Sequence, residues 1–106
     1  MVNLNIIKKD GTIIDFEING HALFDQYGHD IVCAGISSIV IGLCNAFDIK
    51  QAGVDIIVDE QLALISIQCP SPTKENQLIF DVGLIQLQTI QEEFPEYLKI
   101  NIQEVK

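Results

Sequence analysis

One run of this 106-residue chain constrains its fold more than any other. Residues 31–47, IVCAGISSIVIGLCNAF, are almost wholly apolar or small. The run is too long for an ordinary strand and predicts a helix buried on more than one side. Gly35, Ser37, Ser38, Gly42 and Asn45 interrupt it, which also makes it too short and too broken for a good membrane span. Gly35, Ser38 and Gly42 fall along one side of that helix, where small residues let another backbone come close.

The sequence on either side alternates with the period of strands. Val2, Leu4 and Ile6 read as a half-buried strand, then Asp10-Gly11 supplies a tight hairpin turn. Ile14, Phe16 and Ile18 alternate with Asp15 and Glu17 as the second strand, which Asn19-Gly20 ends. After the apolar helix, Val54, Ile56 and Val58 form a third strand and Ala63, Ile65 and Ile67 a fourth. Ser71-Pro72 reads as the N-cap and first position of a second helix, with Leu78, Val82 and Ile85 marking one helical face. Leu87, Ile90 and Phe94 extend that face, and Pro95 ends the helix. Leu98, Ile100 and Ile102 make a last strand. The order β-β-α-β-β-α-β predicts an α/β two-layer sandwich: about five strands in one sheet with two main helices, and residues 1–106 as a single domain.

Charge and cysteine content narrow the function classes. Six basic against fifteen acidic residues leave a net charge of −9. Direct nucleic-acid binding, which needs Lys and Arg against phosphate, is therefore not expected. The acidity either serves solubility or favours a basic protein or peptide partner. Cys33, Cys44 and Cys69 are irregularly spaced and odd in number, so reduced thiols in a cytosolic protein are expected. The start of the sequence alternates polar and apolar residues and shows no secretory signal.

The chemistry-bearing residues gather at the start of the apolar helix. Residues 20–38, GHALFDQYGHDIVCAGISS, hold both histidines, His21 and His29, and the thiol of Cys33. Asp30 is a natural N-cap, which puts Cys33 at the third helical position. There a thiol faces backbone N–H groups and the positive end of the helix dipole, both of which favour thiolate. His21 lies twelve residues upstream, in a loop able to return a base to the helix start. Two readings of Cys33 stand open: an activated nucleophile, or a small buried hydrophobe. Cys44, three helical turns further on, reads as core packing, and Cys69 has no assigned role. Asp25 reads as a solvated loop charge, and His29 as an alternative base or a solvent-facing residue. A metal site on His21, His29, Asp30 and Cys33 matches no common zinc spacing, so neither metal nor other cofactor is expected.

Gly20-His21-Ala22, then Gly28-x-Asp30-Ile31-Val32-Cys33-Ala34 and Ser37, resembles the signature of the ribosomal-processing cysteine protease family, Prp. Glu93-Phe94-Pro95-Glu96-Tyr97-Leu98 is similar to that family's helix end before its last strand. The resemblance spans essentially the whole chain. It implies a cytoplasmic homodimer that removes a short N-terminal extension from a large-subunit ribosomal protein, cutting after aromatic residues. It implies Cys33 as nucleophile and His21 as base, with Gly20, Asp30 and Ser37 in supporting positions. Gly20 would let the loop beside His21 move, and a basic ribosomal substrate suits the acidic charge. A non-catalytic acidic module that holds the same ribosomal protein is the competing expectation.

Overall fold

The computed structural model describes residues 1–20 and 31–106. Its elements are β1 (Val2–Lys9), β2 (Thr12–Asn19), α1 (Ile31–Ile49), β3 (Asp55–Asp59), β4 (Leu64–Gln68), α2 (Lys74–Glu93) and β5 (Leu98–Val105). That is the expected order. The five strands form one mixed sheet in the order β3-β4-β2-β1-β5. β1 and β2 are an antiparallel hairpin, closed by Asp10 and Gly11, both at positive φ (52° and 78°). Two positive-φ residues make the turn whose twist matches that of the strands it joins.

β4 pairs antiparallel with both β2 and β3, so β2 and β3 are parallel and flank it. α1 is the crossover between them and therefore runs back over β4. α2 carries the chain from β4 to β5, which lies parallel to β1, and it packs on α1, β5 and β2. Both helices cover one face of the sheet. The core lies between the layers: Leu4, Ile6, Phe16, Ile18, Ile65 and Ile67 from strands meet Ile36, Val40 and Phe47 from α1 and Phe80 and Leu87 from α2. Phe80 is the centre of an aromatic trio, 4.7 Å from Phe47 and 5.8 Å from Phe16 between ring centroids.

α1 is long and apolar enough to cross a membrane by length and composition. Here it is the core helix, with Val32, Ile36, Val40, Leu43 and Phe47 buried in one stripe. The small-residue stripe departs from expectation. A side chain at Gly35 would reach Ile90 Cδ1 of α2 at 3.5 Å, while one at Gly42 would meet nothing within 4 Å. The close approach is made by α2 instead. A Cβ on Gly83 would collide with the Leu43 side chain.

Two expectations for α2 are corrected. Its N-cap is Thr73, not Ser71, and Lys74 rather than Pro72 is its first residue. Thr73 Oγ1 accepts from the Asn76 N–H (3.1 Å) and Asn76 Oδ1 accepts from the Thr73 N–H (2.8 Å). This reciprocal pair satisfies two backbone donors, which a cap at Ser71 would leave to solvent. The buried Asn76 also donates to the Ala52 and Ser71 carbonyls. The inner face is Asn76, Phe80, Gly83, Leu84 and Leu87, whereas Leu78, Val82 and Ile85 are exposed by half or more. Apolar residues occupy two stripes of α2, and the Gly83–Leu43 contact selects the one that can approach α1.

Gln77 adds a side-chain clamp. At the irregularity in the β1–β2 ladder, its amide donates to the Ile13 carbonyl (2.8 Å) and accepts from the Ile13 N–H (2.7 Å). The helix thereby replaces a strand neighbour where the ladder is disrupted.

Candidate active site

Cys33 is the third residue of α1, half-buried in its first turn. The first N–H groups of a helix have no partner within it and carry the positive end of the dipole, so this turn favours an anionic sulfur. Ser37 follows one turn later and is also half-buried. Residues two apart on a helix point to opposite sides. Since Gly35 faces Ile90 of α2, Cys33 is on the side of α1 turned away from α2. α2 packs on β2 and β5, so in the strand order β3-β4-β2-β1-β5 the side of α1 away from α2 is the β3 side. At the other end of the helix, Phe47 and Asp48 line a cleft with Gln51, Ala52, Gly53 and Val54 of the connection into β3 and with Ile56 of β3.

The other two thiols sit in different surroundings. Cys44 shares the Cys33 side of α1 but packs against the core, and burial pushes its thiol above the ordinary value. Cys69 is buried, and burial again raises its thiol, with Gln77 Nε2 at 3.8 Å from the sulfur opposing the shift. Both are held as neutral thiols at pH 7, as packing residues should be.

Gly20 fixes where the histidine-bearing segment leaves the sheet. Its φ is +143°, and a Cβ there would lie 2.8 Å from Val2 Cα and 2.9 Å from the Met1 carbonyl oxygen. Its N–H donates to the Ala63 carbonyl at 3.0 Å. Glycine is required here by close approach as well as by conformation. The role visible for Gly20 is thus an anchor between β1 and the start of β4. His21 and Asp30 lie outside the described residues, as do Asp25 and His29. Among the described residues, no group of three or more His, Cys, Asp or Glu side chains is placed to hold a metal. Val2 and Ala63, which hold Gly20, carry no sequence signal, since both contacts are long-range and Ala63 adopts its positive φ of 48° without glycine.

A half-buried thiol on the first turn of a core helix is a position suited to a cysteine-dependent enzyme. The family model described as cysteine protease Prp matches residues 1–99, and the chain belongs to that family. It is a cysteine protease and so a hydrolase. The ribosomal processing cysteine protease Prp of Staphylococcus aureus (strain Mu50) is 36% identical over 104 residues, covering 95% of this chain and 98% of the relative. The Bacillus subtilis protein of the same name is 31% identical over 98 residues, covering 86% and 87%. The S. aureus protease has been solved with a covalently linked product peptide; it superposes with a TM-score of 0.86 at 36% identity, over 97% of this chain and all of that one. Its complex with a substrate peptide gives 0.84 over the same shares. The five-stranded sheet and two helices described above are the fold of these structures.

Proposed function

We propose that this protease removes a short N-terminal extension from a large-subunit ribosomal protein, cutting after aromatic residues, with Cys33 as nucleophile and His21 as base. The observation that carries the reading is Cys33 in the first turn of α1, with Gly20 anchored at the root of the segment that bears His21. The names of the relatives, ribosomal processing proteases, support the substrate class.

The chemistry follows from those two groups. The Cys33 thiolate attacks the scissile carbonyl carbon, and its π electrons move to oxygen. The tetrahedral adduct collapses as the peptide C–N bond breaks, and imidazolium at His21 gives its proton to the leaving amine. A thioester remains. Neutral His21 then takes a proton from water, whose oxygen attacks the thioester, and the thiolate leaves. The covalently linked product peptide in the S. aureus structure supports a covalent route. Ser37 lies one turn below the thiol on α1.

The protein works in the cytoplasm, where reduced thiols and a ribosomal substrate coincide, and as a homodimer. The exposed stripe of Leu78, Val82 and Ile85 supports the dimer, with the cleft it forms beside Ser38, Gly42 and Ala46 of α1. The net charge of −9 suits a basic ribosomal protein. The test is incubation with the same organism's ribosomal protein and mass measurement of the product. Loss of a short N-terminal piece ending in an aromatic residue is expected. An intact substrate, or a cut elsewhere, refutes the reading.

A further inference from the structure

On the helix-covered face of the sheet, one cross-strand row runs Val58, Ile65, Ile18, Leu4 and Ile100. Ile65, Ile18 and Leu4 are sealed under the helices, but Val58 is 53% exposed. The helical layer therefore stops short of β3 at this row. Val58 is at the end of β3 that lies beside the end of β2, because the two strands are parallel. That is the end of the sheet from which α1 begins, and Cys33 is on the α1 side that looks toward β3. The turn that follows exposes a second apolar residue, Leu62, by 68%. The same turn carries Asp59 and Glu60, with Asp59 Oδ1 accepting from the Leu62 N–H at 3.0 Å. Ala63, the last residue of the turn, is the acceptor that anchors Gly20. One hairpin thus shows an exposed apolar pair at the end of the sheet from which α1 begins, two carboxylates in the same turn, and a direct bond to the root of the histidine segment.

We propose that the β3–β4 hairpin is the specificity wall of the protease: Val58 and Leu62 take the substrate's aromatic side chain, and Asp59 and Glu60 engage basic residues beside it. The occupant follows from the setting. Cys33 is on the side of α1 away from α2, and the hairpin on that side carries exposed Val58 and Leu62 together with Asp59 and Glu60. An aromatic ring gains most from such an apolar pair, and cationic neighbours gain from the carboxylates. The inference rests on the proposed cleavage after aromatic residues and adds the residues that read them.

The experiment compares two peptides copied from the ribosomal extension, one with Phe before the scissile bond and one with Ala in its place. kcat and KM are measured for wild type, Val58→Ala, Val58→Thr and Leu62→Ala. Val58→Thr keeps the shape and strand preference of valine, so it tests polarity without loss of folding. Each variant is expected to raise KM for the Phe peptide by roughly tenfold, the usual effect of altering one apolar pocket. The Ala peptide and the rate of Cys33 alkylation by iodoacetamide should stay as in wild type. In parallel, fluorescence anisotropy reads binding of the labelled Phe peptide to the Cys33→Ala protein, with and without Val58→Thr, and several-fold weaker binding is expected. Variants that prefer Phe over Ala as strongly as wild type, and bind equally well, overturn the proposal. A wild-type enzyme that itself does not distinguish Phe from Ala overturns the aromatic-cleavage reading instead, and does so before any variant is considered.

Discussion

Gly20→Ala tests the anchor directly. At φ +143° an alanine is strained by about 1–3 kcal/mol. Its Cβ also arrives 2.8 Å from Val2 Cα and 2.9 Å from the Met1 carbonyl oxygen. Both obstacles are backbone, so neither yields by a rotamer change, and such overpacking costs about another 1–3 kcal/mol. Relief requires Gly20 to back away from β1, which stretches its 3.0 Å bond to the Ala63 carbonyl. A net loss of about 3 kcal/mol is expected, a sizeable share of a typical domain's stability of about 5–15 kcal/mol. In thermal unfolding this is a fall on the order of 10 °C. Activity should fall further than stability accounts for, because His21 is attached to the displaced residue and a misplacement of about 1 Å costs on the order of 100-fold. Urea titration, peptide cleavage and Cys33 alkylation together separate the effects. Cleavage should drop about 100-fold under conditions where the variant is still folded, while Cys33 alkylates at a near-normal rate. An alanine variant with wild-type midpoint and turnover refutes the anchor and the role given to it.

The remaining tests are simpler. Cys33→Ser and His21→Ala should each nearly abolish peptide cleavage; unchanged turnover in His21→Ala would move the base to His29. Cys44→Ala should keep activity and cost about 1–2 kcal/mol in denaturant unfolding, and a stable but inactive variant would show the wrong cysteine was chosen. Because burial raises the Cys44 and Cys69 thiols above 9.0, the folded state holds those protons longer than the unfolded chain. Stability should thus be insensitive to these groups below about pH 9 and fall above it, a trend that Cys44→Ala weakens. Asp15 has a carboxylate oxygen buried without a hydrogen-bond partner, and burial raises its pKa from 3.8. Asp15→Asn should accordingly raise the melting temperature at pH 7, with the gain vanishing as the pH is lowered toward 4; an unchanged melting temperature at pH 7 counts against the burial argument. Val82→Asp should turn the proposed dimer into a monomer by light scattering at unchanged fold; a persistent dimer places the interface elsewhere, and a monomeric wild type refutes the dimer.

Much of this was legible in the sequence because it is local. Asp10-Gly11 can hardly be anything but a hairpin turn, and the run from residue 31 had no alternative to a helix. Cys33 as the third helical residue followed from where that run begins. What escaped were choices made by distant partners. Thr73 outcompetes Ser71 as N-cap because Asn76 reciprocates and is itself held by the carbonyl of Ala52. Leu78, Val82 and Ile85 have the spacing of a buried face, yet Gly83 against Leu43 decides which stripe turns inward. Strand order, with β1 beside β5, depends on two crossovers that no alternation of residues encodes. Gly20 was legible as a special position, but its reason is backbone from β1 and β4. The family signature carried His21 and Asp30, which lie outside the described residues.

The parallel pairing of β1 with β5 has a consequence for when the enzyme comes into being. Asn5 and Asn101 share a side-chain hydrogen bond across 96 residues of chain, and the Val2 N–H donates to the Tyr97 carbonyl. Val2 is also the residue against which Gly20 is wedged. During synthesis the β1–β2 hairpin can form early, but β1 keeps an open edge until residues 98–105 have left the ribosome. Pairings of such long range form late and slowly. The strand that supports the histidine segment is therefore completed last, and proteolytic competence should appear as a single late event rather than grow with chain length.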